Sequence, residues 1–248
     1  MKLSNITIND FGLNNKVCIS ESIKLENKSS INITIKGNEN KIFIGKECNI
    51  KDTSIQINGS KNTLSFDNYV TFHGNIVMRF DSNSISIGKF SSFGLVTIHC
   101  AESCRIVIGK NCMFSRNITL RTHDGCQIIN NETKAKINQA QGIFIGDRVW
   151  CGMNTKILKG AYISSNTVIG AFSVVTKKFE KNNIIIAGKP ANIVKENIVW
   201  IKQSIDKNTI ISKEQLKKST AIFSPNIIEL KKFYELIKNI KLKFRCKG

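Results

Sequence analysis

Apolar residues recur at every sixth position through a long stretch of this chain. In steps of six from Ile145 stand Ile145, Cys151, Ile157, Ile163, Ile169 and Val175. Four residues after each of the first five comes a small or β-branched side chain: Val149, Thr155, Ala161, Thr167 and Ser173. The same phase appears upstream as Ile108, Phe114, Leu120 and as Phe66, Phe72, Met78. An amphipathic helix repeats every three or four residues and a half-buried strand every two, so a period of six fits neither. It predicts a triangular solenoid, with one hexad per flat face and three per coil. The apolar head of each hexad points inward, and Gly or Asn supplies the corner angles that other residues resist. Each coil buries its inner face only against its neighbours, so several coils are needed and the ends need capping. A β-sandwich would have to produce six consecutive matches by coincidence. The pattern therefore predicts an all-β solenoid over residues 36–198, preceded by irregular coils over 1–35.

The repeat breaks once. From Leu120 to Ile145 is 25 residues (120 to 145), one more than four hexads, so the phase is lost. The intervening stretch, 121–142, is polar, opens with "RTHDGC" and is predicted to be an extruded loop, the kind of segment that carries binding and catalytic groups. At the other end, 199–248 reads as a basic, partly helical extension. Leu230, Phe233, Ile237, Ile240 and Phe244 form one helix face within 226–244, with Pro225 and Asn226 suited to its start. Two readings stay open for that helix. It docks on the solenoid or on another copy, covering a sheet edge, or it rests on an anionic membrane through its lysine-rich face.

Charge narrows the partners. The 248 residues carry 37 Lys and Arg against 18 Asp and Glu, a net +19. Such an excess suits an acidic partner: a phosphorylated cofactor, an acidic glycan, anionic lipid or nucleic acid. Low aromatic content, with no RNA-binding aromatic signature and no zinc-finger spacing, argues against nucleic acid. "IGK" recurs at Ile44–Lys46, Ile87–Lys89 and Ile108–Lys110. No apolar leader core opens the chain, and no stretch approaches the roughly 18 apolar residues that span a membrane. The eight cysteines include no CxxC pair, and the expectation is a cytoplasmic protein with reduced, mostly buried thiols.

Three stretches now carry a resemblance: "IGDRVWCGMNTKILKGAYISSNTVIGAFSVVTKK" (145–178), "IIAGKPANIVK" (185–195) and the interrupted loop. Together they resemble the left-handed β-helix, hexapeptide-repeat acyltransferases, and most of all bacterial sugar and capsule O-acetyltransferases, including those acting on sialic acid polymers. The resemblance implies left-handed coils, assembly as a homotrimer, and acetyl-CoA held in a groove between neighbouring helices. It implies a glycan or sugar acceptor, which the charge allows to be acidic, and no metal. An N-acetyltransferase acting on an amino sugar nucleotide and a lapsed solenoid scaffold remain as rivals. A zinc carbonic anhydrase would need three converging histidines.

Acetyl transfer to a hydroxyl needs a base for the hydroxyl proton, donors for the oxyanion, and cationic groups for the donor's phosphates. His73 and His99 fall inside repeat segments and read as corner or face residues. His123 falls in the loop, and an imidazole pKa near 6.5 suits a general base at neutral pH. Asp124 beside it could orient an imidazole of its own chain or a neighbour's. The resembling enzymes read closer to "T-S-D-G-H" here, so their catalytic histidine matches Cys126, and His123 stands three residues early. Three accounts stay open: His123 is the base; Cys126 is nucleophile or base, activated by His123; or activity is reduced or lost. The resemblance further places Trp150 beside the acetyl end of the cofactor, and Lys177 and Lys195 near its phosphates. Gly152, Gly170 and Ala171 leave room for a close-approaching ligand. Asn117 and Arg121, at the loop's start, are candidate acceptor contacts.

Overall fold

A computed structural model describes residues 5–25 and 29–202 of the chain. The predicted helix at 226–244 and most of the basic extension lie outside the described residues. Backbone contacts divide the chain into a unit ending at Ile198 and a second starting at Val199. The first unit is a parallel β-solenoid of about eight turns.

One flat face of the solenoid is an eight-stranded sheet, which we call the third face. It runs from Lys16–Ile19 through Lys41–Ile44, Thr63–Phe66, Ser84–Ile87, Arg105–Ile108, Ile143–Ile145 and Tyr162–Ile163 to Lys178–Phe179. The other two faces share one ladder because the early strands bend around the corner between them. Asn49–Asn58, Thr71–Arg79 and Met113–Arg121 each shift register partway along their length. In the later coils the same path is cut in two. Met113 and Phe114 pair with Trp150 and Cys151 on the first face, while Thr119 to Arg121 pair with Lys156 to Leu158 on the second. The hexad heads land where the period put them. Phe66, Phe72 and Met78 are buried on the third, first and second faces in turn, and Ile145, Cys151 and Ile157 repeat the assignment one coil above the break.

Two features depart from the simple pattern. The early coils are longer than three hexads: Ile44 stacks on Phe66, Phe66 on Ile87 and Ile87 on Ile108, steps of 22, 21 and 21 residues. Ile145 to Ile163 is 18 (145 to 163). The extra residues sit at the corner between the second and third faces. There Asn40, Asn62 and Asn83, all buried, form a ladder. Each side-chain oxygen accepts the backbone N–H of the residue one coil on: Asn40 from Asn62 at 2.9 Å, Asn62 from Asn83 at 3.0 Å, and Asn83 from Cys104 at 3.1 Å. A longer perimeter also encloses more volume, and larger inward side chains fill it. Phe66, Phe72, Phe93 and Phe114 pack ring on ring at centroid separations of 5.3, 5.3 and 4.7 Å. Above the break, Cys151 takes the place of Phe114, as close packing in a narrower coil requires. The second departure is at the start, where Ile6–Asp10 already pairs in register with Ile31–Lys36, so the ladder begins before residue 36.

The far end of the ladder turns back on itself. Ala191–Glu196 pairs antiparallel with Ile184–Gly188, which covers an edge that would otherwise offer open hydrogen-bonding groups.

Candidate active site

The loop leaves the solenoid at the corner that carries the asparagine ladder. Its stem is tied to the coils on both sides. Thr122 is buried, and its hydroxyl accepts the Ala101 N–H at 3.0 Å. Gln141 N–H returns to the Thr122 carbonyl at 3.0 Å, and Gly160 N–H reaches Gly142 at 3.1 Å. The outer part folds on itself through a turn in which the Asn130 side chain caps Glu132 and Thr133 at 2.9 and 2.8 Å. Asn138 ties the two halves together: its amide nitrogen donates to Asp124 Oδ2 at 2.9 Å and to the Cys126 carbonyl at 2.8 Å.

His123 lies at the base of this loop with 6% of its surface exposed, so the imidazole is enclosed rather than extruded. Burial holds its pKa below the ordinary imidazole value, and the Arg121 guanidinium adds to the effect; Glu102 and Asp124 oppose it. His99, one coil earlier and in register with Arg121, is lowered in the same way, by burial first and then by Arg121 and His123. His99, which from the sequence reads as a corner or face residue, stands on the second face and shares the field of His123. The loop base therefore presents a neutral imidazole at pH 7, able to accept a proton. Arg121 Nε donates to the His123 carbonyl at 2.9 Å, and its guanidinium underlies Gly125, so part of this side chain supports the loop. Asp124 faces solvent. Its Oδ2 pairs with Lys159 and accepts the Asn138 amide, and these two partners hold its pKa below the usual carboxylate range. Cys126 is exposed, three residues further out.

The predicted acceptor residue Asn117 takes a left-handed backbone (φ 59°) at the bend between the first and second faces. It borders a shallow depression of about 250 Å³ on the second face, lined also by Asn75, Thr97, Thr119 and Lys156. Lys156 Nζ donates to Thr119 Oγ1 at 2.8 Å. Two residues further along the same strands stand His99 and Arg121. A continuous polar strip thus leads along the second face from Asn117 to the loop base.

The predicted cofactor residues lie elsewhere. Trp150, 39% exposed, pairs with Val168 on the first face. Gly152, Gly170 and Ala171 follow at the bend beside it, and Lys195 stands on the closing strand opposite Ile185. Lys177 sits at another corner, but its Nζ donates to Asn192 of that closing strand at 2.6 Å. Packing accounts for one of these residues by itself: a Cβ on Gly152 would come within 2.6 Å of the Ala171 nitrogen. Three further residues join the group. Met153 and Phe172 are exposed at the bend that follows the Trp150 strand, where the Phe172 N–H donates to the Met153 carbonyl at 2.8 Å, and Lys189 lies over the Phe172 ring at 5.8 Å. An exposed apolar strip flanked by lysines fits a long, weakly polar chain ending in phosphates. A single exposed apolar residue, or one lysine among many, carries no signal in a sequence. Among the described residues no three His, Cys, Asp or Glu side chains converge to hold a metal. No helix among them is long and apolar enough to cross a membrane.

No protein-family profile matches the chain. Individual proteins do. It is 37% identical over 189 residues to a polysialic acid O-acetyltransferase of Neisseria meningitidis, covering 76% of this chain and 86% of that one. The crystal structure of the polysialic acid O-acetyltransferase OatWY superposes with a TM-score of 0.78 at 33% identity, over 86% of this chain and 99% of that one. The polySia-specific acetyltransferase NeuO superposes with a TM-score of 0.79 at 28% identity, over 89% of this chain and all of the other.

Proposed function

The chain belongs to the left-handed β-helix, hexapeptide-repeat acyltransferases, and from that premise we propose that it transfers the acetyl group of acetyl-CoA to a hydroxyl of a sialic-acid-containing bacterial surface glycan. The observation that carries this reading is the polar strip on the second face, which ends at a buried, neutral imidazole. The acceptor lies along that strip with its reacting hydroxyl toward His123. Asn117, Thr97 and Thr119 offer hydrogen bonds to a hydroxyl-rich ring, and Lys156 with the free part of Arg121 offers charge to a carboxylate. Acetyl-CoA supplies an acetyl group already activated as a thioester. His123 takes the hydroxyl proton as the oxygen attacks, and returns it to the departing thiolate. Trp150, Met153 and Phe172 hold the donor's apolar arm, and Lys177, Lys189 and Lys195 meet its phosphates.

The working unit in this reading is a homotrimer. The loop rises from the corner between the second and third faces, whereas Trp150 stands on the first face. One chain thus carries the base and the donor strip on different sides, and a neighbouring copy completes each site.

The test is release of free thiol from acetyl-CoA in the presence of a sialic acid polymer, a neutral glycan and an amino sugar nucleotide. The reading requires turnover with the polymer. Turnover with the amino sugar nucleotide alone would move the reaction to nitrogen, and no turnover with any acceptor, together with no acetyl-CoA binding, would end the transferase reading.

A further inference from the structure

The corner between the third and first faces has its own stack of left-handed residues. Glu47, Tyr69, Phe90, Asn111, Arg148, Asn166 and Asn183 occupy it in successive coils, all with positive φ. Each of Tyr69, Phe90, Asn111 and Arg148 donates its N–H to the coil before. Asparagine tolerates this conformation because its short side chain can bond locally, and three of the coils use it. A bulky aromatic residue does not, and holding one there costs on the order of 1 kcal/mol. Yet Tyr69 (φ 60°) and Phe90 (φ 63°) stand there in adjacent coils, 47% and 45% exposed. Neither is anchored in the core. Their rings stack on each other at 5.0 Å and 23°, and Lys89 Nζ lies 5.4 and 4.9 Å from the two centroids.

The recurring "IGK" supplies the charge. Its isoleucines point inward, its glycines fit against the next coil, and its lysines, Lys46, Lys89 and Lys110, project along this corner. From Lys46 to Lys110 is three coil steps, about 14 Å at ~4.8 Å per step. Three carboxylates stand among them. Glu47 is offset by Lys24 at 2.8 Å, while Asp67 accepts the Asn68 N–H and Asp147 the Lys110 N–H at 2.7 Å, and both keep their charge. The ridge is an exposed aromatic wedge with Lys89 against both rings and Lys46 and Lys110 in the flanking coils, so cations outnumber the two uncompensated carboxylates.

We propose that this ridge, formed by Tyr69, Phe90 and the lysines of the IGK repeat, is a second glycan-binding site that grips the acidic acceptor polymer away from the loop. A sialic acid ring has one face of C–H groups for an aromatic ring and a carboxylate for a lysine. A polymer repeats that pair, and the corner repeats its counterpart. The inference rests on the acidic-glycan reading given above.

The experiment replaces both aromatic residues by the residue the fold itself uses at this corner, Tyr69→Asn with Phe90→Asn. Direct binding of a sialic acid polymer and of the single sugar is measured, with acetyl transfer to both. Polymer affinity should fall about tenfold, while single-sugar binding and kcat stay as in the wild type. Unchanged polymer affinity overturns the proposal. So does a change in sedimentation of the variant, which assigns the ridge to contact between copies. If the double variant does not fold, Lys89→Gln replaces it: the same loss of polymer affinity is expected, and none refutes the ridge. If the wild type neither binds nor acetylates the polymer, the functional reading fails as well; if it acetylates and the variant binds equally well, the ridge alone fails.

Discussion

Replacing Asn83 by alanine tests why the solenoid can open a loop without unravelling. Asn83 is 1% exposed and stands two coils below the corner where the loop begins, with Cys104 in the coil between. Its oxygen accepts the Cys104 N–H at 3.1 Å, and its amide nitrogen donates to Asn62 Oδ1 at 2.8 Å and to the carbonyls of Arg79 and Phe80 at 2.8 and 3.1 Å. The Phe80 carbonyl keeps a bond from Asn62 at 3.0 Å, so its loss is small. The Cys104 N–H and the Asn62 oxygen lose a partner in a place water does not reach. One stranded buried group costs roughly 1–3 kcal/mol, and each further lost bond about 1 kcal/mol. The expected loss is therefore about 3 kcal/mol, or about 6–12 °C in Tm for a domain of this size. Asn68→Ala is the matched control. Its oxygen caps the Lys46 N–H at 2.8 Å in an exposed setting, where water replaces the lost acceptor, and the cost should stay within about 1 kcal/mol. Urea unfolding of both variants at one protein concentration gives the comparison. Equal midpoints for the two variants would refute the argument, because Asn83 loses four bonds in a buried setting and Asn68 one in an exposed setting.

The pH dependence of stability follows from the two lowered imidazoles. His99 and His123 have folded pKa values below the ordinary 6.5, so the unfolded chain binds more protons as the pH falls through that value. Stability should be held above about pH 6.5 and decline toward pH 5, where Asp124 is still ionised; a flat or rising Tm over that range contradicts the burial of His123. Thiol labelling separates Cys126 from the core: Cys100, Cys112 and Cys151 are pushed up to about 12 by burial, whereas Cys126 is exposed. In a background with Cys18→Ser and Cys246→Ser, which removes the half-buried Cys18, one fast-reacting thiol is expected, lost in Cys126→Ser, and its persistence in that variant would place Cys126 inside. Gly152→Ala puts a methyl group 2.6 Å from the Ala171 nitrogen; a cost of roughly 1–3 kcal/mol in thermal or urea unfolding is expected, and a neutral result would mean that the bend yields freely.

The three-sided coil was legible because inward positions must be apolar at a fixed period, and Phe66, Phe72, Met78 and Ile145, Cys151, Ile157 kept that phase on either side of the break. The lengthened corner was not. Its residues are polar turn formers, and a buried asparagine such as Asn62 looks in a sequence like any surface asparagine. The site divided in the same way. His123 and Trp150 are candidates by residue type and family pattern, whereas Asn117 is one only by its place near the loop's start. Asn138, Lys159 and Glu102 are common residues, and His99 reads as a corner or face residue. The contacts of Asn138 and Lys159 with Asp124, the field of Glu102 at His123 and that of His123 at His99 arise from segments brought together by the fold. Burial of His123 was equally invisible, since a polar loop gives no sign of which side chain folds back beneath it.

The central claim is that the buried imidazole, not the exposed thiol three residues on, serves as the base. The measurement is kcat for acetyl transfer from acetyl-CoA to a sialic acid polymer in His123→Ala and in Cys126→Ala. The account predicts a fall of about 10²–10⁴ in His123→Ala and near wild-type turnover in Cys126→Ala. Full activity in His123→Ala with loss in Cys126→Ala would contradict it.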